Sequence, residues 1–124
     1  MTAPNIVNVS TITAKTASAA LGTSAASIVS NAASSNKVFK INTILVSNVD
    51  GTNNADVTIY LNDGAAGAGS TNRAIASTIV VPADASRGVI DGNSKLYLEE
   101  NTSITALASA ASDLEIIVSY EEIS

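Results

Sequence analysis

Residues 79–107 read IVVPADASRGVIDGNSKLYLEENTSITAL, and this stretch decides the fold class. An apolar run ends at Pro82, whose missing N–H cannot join the hydrogen-bond ladder of a central strand. Small polar residues then alternate with two short apolar runs, of which the first ends at Leu98 and the second at Leu107. Short strands separated by turn residues at near-regular spacing are typical of an antiparallel β-sandwich or barrel.

Alternation of apolar and polar residues continues on both sides of this stretch. A period of two places every second side chain on the same face of a strand, so one apolar face predicts a half-buried strand. The faces that we expect to be buried are Phe39, Ile41, Thr43 and Leu45 in VFKINTILV, Val57, Ile59 and Leu61 in ADVTIYLND, and Leu114, Ile116, Val118 and Tyr120 in LEIIVSYEEI. The first two segments are separated by SNVDGTNNA, which contains Asp-Gly and Asn-Asn, and we therefore predict a β-hairpin over residues 37–62.

The N-terminal third is rich in Ala and Ser, which leaves its pattern less clear. Thr11, Thr13 and Thr16 are stiff at χ1 and favour strands over a helix. We predict strands at about residues 9–18 and 25–31. Residues 1–20 are then either an N-terminal arm or the first strand, and residues 21–124 form the β-sandwich domain. The fold class is all-β, an antiparallel β-sandwich of jelly-roll or immunoglobulin-like type with about eight short strands.

Composition restricts the function more than any motif does. The 124 residues suit one domain, and they contain no cysteine, histidine or tryptophan. Zinc binding by Cys or His and Ser-His-Asp or Cys-His catalysis are therefore excluded. We predict that the protein is not an enzyme, and we assign no catalytic, cofactor-binding or metal-binding residue and no cofactor.

The net charge of −5 argues against two classes of partner. The six basic residues are scattered along the chain, whereas a nucleic-acid binder needs a basic patch to neutralise phosphates. An anionic membrane surface is an equally poor partner. No apolar run approaches the ~20 residues that span a bilayer, and MTAPNIVNVS lacks the features of a secretory signal. We therefore expect no nucleic acid and no membrane as partners, and a soluble chain made in the cytoplasm.

Two loops have compositions that also occur in binding sites. Asp50–Asp56, DGTNNAD, offers the oxygen ligands that calcium prefers, but it lacks the order of an EF-hand, and a hairpin turn explains it better. Gly64–Gly69, GAAGAG, resembles a phosphate-binding loop only in composition, since no Lys-Ser/Thr follows it. We interpret it as a flexible hairpin loop. A carbohydrate- or calcium-binding sandwich for host attachment, with its ligand on these loops, is kept as an alternative.

The remaining candidates are charged and aromatic side chains. Glu99-Glu100 and Glu121-Glu122 are adjacent pairs on strands, so their carboxylates point to opposite faces rather than across a cleft, and we interpret them as charges that protect strand ends. Arginine and tyrosine are enriched at protein interfaces. The residues of these types are Arg73, Arg87, Tyr60, Tyr97 and Tyr120, of which we expect Tyr120 to pack in the core.

Two segments carry a family resemblance. VVPADASRGVIDGNSKLYLEENTSITALASAASDLEIIVSYEEIS and FKINTILVSNVDGTNNADVTIYLND resemble a pattern of strands and turns in small virion structural proteins of tailed phages, notably marine and cyanobacterial phages. The resemblance implies a β-sandwich that assembles in many copies, with the major capsid protein or other virion proteins as partners. It implies localisation in the virion, after assembly in the host bacterial cytoplasm, and no individual site residue.

From this resemblance and the missing catalytic groups, we expect a capsid decoration or cement protein that forms a homo-oligomer. A tail, neck or baseplate adaptor, or a fibre-associated module, is the first alternative. In the cement interpretation the weakly patterned N-terminal residues form an arm that orders on binding.

Overall fold

The computed structural model describes residues 9–124, which fold into two antiparallel β-sheets packed as a sandwich. The predicted all-β sandwich is confirmed. The nine strands of the described residues are β1 Ile12–Ala20, β2 Ala26–Asn31, β3 Val38–Asn48, β4 Ala55–Asn62, β5 Asn72–Val81, β6 Ser86–Ile90, β7 Leu96–Leu98, β8 Thr102–Ala108 and β9 Leu114–Ile123. No helix in these residues is long and apolar enough to cross a membrane.

The order of the strands identifies the type of sandwich. Sheet A has the order β1-β9-β3-β6, with β7 also paired to β3, and sheet B has the order β2-β8-β4-β5. Because β6 and β7 pair with different parts of β3, they act as one interrupted strand. The two sheets then have four strands each in the order of a jelly roll, which decides between the two expected types.

The predicted hairpin over residues 37–62 is wrong. β3 belongs to sheet A and β4 to sheet B, so the residues between them cross from one sheet to the other. The apolar faces of two strands are buried as well when the strands face each other across a core as when they pair in one hairpin. The Asn48 side chain supports this crossing, since its Nδ2 donates to Asn53 O at 3.0 Å and to Val81 O at 2.9 Å. Within the described residues, the paired neighbours in sequence are instead β4 and β5.

The core lies between the two sheets and consists of aliphatic side chains. The predicted inward faces of β4 and β9 are confirmed, while the alternation predicted for β3 fails after Ile41. A β-bulge at Asn42 shifts the register there, so Ile44 and Val46 point inward and Leu45 points outward. The apolar residues of the described part with no exposed surface are Ile41, Ile44, Val46, Val57, Ile59, Val81, Leu98, Ile104, Ala106, Leu114, Ile116 and Val118.

The N-terminal residues that the structure describes form a strand. β1 pairs with β9, so residues 12–20 belong to the sandwich. The strands predicted at residues 9–18 and 25–31 correspond to β1 and β2. The part of the arm prediction that concerns residues 1–8 lies outside the described residues.

Three consecutive strands end at a buried asparagine. Asn31, Asn48 and Asn62 are the last residues of β2, β3 and β4, and each is at most 4% exposed. Each side chain bonds to backbone groups of the following loop, as when Asn62 Oδ1 accepts from Gly64 N at 2.9 Å and from Gly69 N at 2.8 Å. Burying an amide side chain is favourable only when it is hydrogen-bonded, so these residues fix where the loops begin.

Candidate protein interface

Within residues 9–124, the edge strand β1 pairs with β9 alone, and its other side, which we call the free side, is long and regular. Its nine residues pair with β9 in one continuous register, from Ile12 opposite Ile123 to Ala20 opposite Glu115. The strand contains no glycine or proline, and Lys15 is its single charge. A regular edge of this kind is a template for pairing with another strand.

The other three edges are shorter or irregular. β2 has a register shift between Ser27 and Val29, and β6 has five residues before the interruption that separates it from β7. β5 is ten residues long, but two register shifts interrupt its pairing with β4, and Thr78 there has a φ of 46°. A β-branched residue in this region marks a bulge, and bulges are a means of protecting an edge. β1 has no register shift, and no other strand of the described residues covers its free side.

Exposed apolar side chains lie on the solvent-facing side of sheet A, which we call the outer face of sheet A. Ile12 of β1 is 58% exposed, Ile117 of β9 is 42% exposed and Tyr97 of β7 is 45% exposed. Ile117 lies between Ser18 and Leu45 in the register of the sheet. Ile12 and Ile117 therefore lie at the β1 side of this face, and Tyr97 lies at its opposite edge. Exposed aliphatic and aromatic groups are typical of a surface that binds another protein.

A depression of about 310 Å³ lies at one end of this outer face, next to β1. Three strands contribute to its lining, and small side chains leave the space open. Its lining residues are Ser18, Ala19, Ala20, Ser47, Glu115, Ile116 and Ile117. Glu115 supplies the only charge of this lining, so the depression can accept an apolar or neutral side chain of a partner.

Two lysines hold β1 and the start of β3 to β9. Glu122 Oε2 lies 3.2 Å from Lys15 Nζ, and Glu122 Oε1 lies 3.1 Å from Lys37 Nζ. Partial burial raises the pKa of Glu122, but the hydrogen bonds and charges of the two lysines outweigh this effect and hold its pKa below the ordinary value. The carboxylate therefore stays ionised and attaches the edge strand to the sheet.

The Asp50–Asp56 segment uses its oxygens within the chain. Asp50 Oδ1 accepts from Thr52 N at 2.8 Å and Oδ2 accepts from Asn53 Nδ2 at 3.2 Å. These bonds, led by the backbone bond from Thr52, lower the pKa of Asp50. In residues 9–124, no three His, Cys, Asp or Glu side chains come together as metal ligands. The segment is a turn, as we interpreted it, although it connects two sheets rather than a hairpin.

The Gly64–Gly69 loop folds back over the outer side of sheet B. Its amides are bound by side chains of that sheet and the loop beside it: Ala65 N donates to Asn101 Oδ1, Ala66 N to Ser30 Oγ and Gly67 N to Ser103 Oγ. The loop covers Thr105, which is 4% exposed although it points away from the core. These glycines and alanines allow a close approach to the sheet, and their amides are used in that contact.

The two pairs of adjacent glutamates have different surroundings. Glu121 points to the outer face of sheet A and Glu122 to the opposite side with Lys15, as strand geometry predicted. The expectation that Glu99 and Glu100 lie on a strand is wrong, because β7 ends at Leu98 and both residues belong to the following turn. Glu99 is exposed, and Glu100 Oε2 accepts from Asn36 N at 3.1 Å. These glutamates therefore make local contacts or place negative charge near the ends of strands.

The arginines and tyrosines have different surroundings. Tyr120 packs against the core, with its ring centroid 5.3 Å from that of Phe39, as predicted. Tyr97 is exposed on the outer face of sheet A, and Tyr60 is half-buried on the outer side of sheet B.

Both arginines are exposed on the β5–β6 side of the sandwich. Arg87 Nε donates to Val80 O at 3.0 Å and so covers part of the β5 edge, while Arg73 lies on β5 itself. The β1 edge was not predicted from the sequence. Its signal is the nine-residue segment ITAKTASAA, which has strand-forming threonines and no strongly apolar face.

Comparisons with known proteins support the fold. No family model and no curated protein matches the sequence. Among solved structures, the chain is similar to a chain from the disulfide-linked pili that form Bacillus endospore appendages, with 17% sequence identity and a TM-score of 0.56. The similarity covers 100% of this chain and 96% of the other. At this level of identity it shows a shared fold.

Proposed function

We propose that the protein is a structural protein of a phage virion, most specifically a capsid decoration or cement protein that binds and stabilises the major capsid protein shell. In this proposal the protein is a homo-oligomer in the virion and is assembled in the host bacterial cytoplasm. The observation that carries the proposal is the outer face of sheet A, where exposed Ile117 and Tyr97 lie on the same sheet as the free β1 edge.

The outer face of sheet A has an apolar centre and a polar rim, as protein interfaces do. Ile117 is flanked by Ser18 and Leu45 on the neighbouring strands, and Glu115 and Ser119 lie before and after it on the same face of β9. Apolar side chains surrounded by small polar ones are the usual anatomy of a protein-binding patch. The phage assignment itself rests on the resemblance of residues 39–63 and 80–124 to virion proteins.

A tail, neck or baseplate adaptor would use the same surface with a different partner, and it is the alternative that we keep. The carbohydrate- or calcium-binding alternative has less support, because the oxygens of Asp50 are bonded to Thr52 and Asn53 and the Gly64–Gly69 amides are bonded to sheet B.

The structurally similar pilus chain differs from this chain in how its copies can be linked. That structure describes pili that are linked by disulfides, whereas these 124 residues contain no cysteine. Contacts between copies of this chain through these residues therefore do not include a disulfide. A jelly roll used in a repeated assembly is common to the pilus and to the decoration protein that we propose.

The test is the addition of purified protein to shells prepared without it. We expect the wild-type chain to bind, and Ile117→Ser to bind at least about tenfold more weakly, since an apolar anchor at an interface carries much of the affinity. Val49→Ser is the matched control, because Val49 is 52% exposed in the β3–β4 connection, away from sheet A's outer face. No binding of the wild-type chain, or equal loss with both variants, would contradict the proposal.

A further inference from the structure

The backbone N–H and C=O groups that point to the free side of β1 follow from the hydrogen bonds between β1 and β9. Thr11 and Ser124 exchange both backbone hydrogen bonds, and Leu21 N donates to Leu114 O at 2.8 Å. Because bonded and non-bonded pairs alternate in an antiparallel ladder, the odd-numbered residues of β1 bond to β9. The even-numbered residues point their N–H and C=O groups to the free side: Ile12, Ala14, Thr16, Ser18 and Ala20.

We propose that two copies of the chain pair through β1, antiparallel, across a two-fold axis at Thr16. Sheet A of one copy would then continue into sheet A of the other. The inference deepens the proposed function, on which it rests for the expectation of a homo-oligomer, by naming the surface and the register of the contact. An isologous contact of this kind closes after two copies.

The direction of the free groups restricts the possible registers. Inter-chain bonds form only when an even-numbered residue of one copy faces an even-numbered residue of the other. With Thr16 opposite Thr16, all nine residues of β1 are paired. Ile12 then faces Ala20 and Ala14 faces Ser18, so every outward N–H and C=O group of the strand obtains a partner.

Charge and side-chain size favour this register over its neighbours. A shift of the axis to Lys15 would place two ammonium groups directly opposite each other, which is destabilising. A shift to Ala17 would leave Ile12 without a partner. In the Thr16 register Lys15 faces Ala17, and two threonines face each other, which is a favourable cross-strand pair.

Among the residues that the structure describes, the surroundings of β1 leave room for a second copy. Thr13 and Lys15 point to the side of sheet A that faces sheet B, yet both are exposed, so sheet B does not cover this part of the strand. β1 carries no acidic residue, and its one lysine is already paired with Glu122 of the same chain. The two-fold axis is perpendicular to the joined sheet, so both outer faces point in the same direction and can contact one shell together.

The absence of cysteine gives a direct test of the register. In the paired state the two Thr16 Cα atoms would be about 5.5 Å apart, a separation that a disulfide can bridge. We expect Thr16→Cys to form a covalent dimer on mild oxidation. Ser18→Cys is the matched control, because the two positions would be about 13 Å apart along the strands and should cross-link poorly.

Sedimentation in the absence of any shell measures the pairing independently of the proposed function. We expect the wild-type chain to show a reversible, concentration-dependent dimer. Thr16→Lys should remain monomeric and folded, because it places like charges opposite each other, whereas Thr52→Lys, at an exposed position of the β3–β4 connection, should dimerise as the wild type does. A wild-type chain that is monomeric at all concentrations, or equal cross-linking of Thr16→Cys and Ser18→Cys, would overturn the pairing. Neither result would decide whether Ile117 contacts a shell.

Discussion

The Lys15 ammonium lies 3.2 Å from the Glu122 carboxylate and so joins the free edge strand β1 to β9. Apart from its backbone ladder, β1 has few other attachments, because its side chains are exposed on both faces except at Ala17 and Ala19. The same carboxylate binds Lys37 at 3.1 Å, which makes Glu122 the centre of the ion-pair cluster at this end of sheet A.

Glu122→Gln should lower the free energy of unfolding by about 0.5–1 kcal/mol at pH 7, since it removes the charge that both lysines share. Because the pKa of Glu122 is lowered in the folded state, its stabilisation is complete above its ordinary value of 4.5 and is lost as the pH falls through the folded value. Denaturant unfolding should therefore show a difference between wild type and variant that shrinks at low pH. Glu121→Gln is the control, and an equal effect of both variants would contradict this role.

Asn62→Ala should destabilise the protein by about 2–4 kcal/mol, because buried donors and acceptors of the β4–β5 loop would lose their partners. The Asn62 side chain donates to Gly69 O at 3.1 Å and accepts from Gly64 N and Gly69 N. Asn93→Ala, at an exposed turn, should change little. Thermal unfolding of both variants measures the difference, and equal melting temperatures would show that the buried amide is not needed.

Gly69→Ala should destabilise the fold by about 2 kcal/mol or more, since a Cβ there would overlap the Asp63 side chain and the Gly64 backbone. The matched control is Gly92→Ala, where a Cβ would meet no atom within 4 Å. Hydrogen exchange of the Ala66 and Gly67 amides gives a local measurement. Faster exchange is expected only in Gly69→Ala, and protection equal to that of the wild type would contradict the close approach of this loop to sheet B.

Calcium should leave the melting temperature unchanged at millimolar concentration. A ligand that binds the folded state must stabilise it, and the oxygens of Asp50 already bond to Thr52 and Asn53. Magnesium serves as the control for ionic strength. A rise of several degrees with calcium alone would restore the ligand-binding alternative for the Asp50–Asp56 loop.

Period-two patterning was sufficient to predict the strands whose one face is buried. The same patterning failed for β3 because the bulge at Asn42 moves the later side chains to the other face. No residue preference near Asn42 predicts that bulge. Alternation also does not predict which strands pair. An apolar face is buried equally well whether the next strand lies beside it in the same sheet or across the core in the other sheet. The β1 edge was not recognised because its small polar side chains give no apolar face, and its free side follows from the sheet order alone.

The proposed decoration function is tested most directly by the copy number of this protein in purified phage particles, measured by quantitative mass spectrometry against the main shell protein. The proposed decoration function predicts a ratio that approaches equality with the shell protein. A few copies per particle would contradict decoration and favour the neck, tail or baseplate alternative. Absence of the chain from the particles would contradict the virion function altogether.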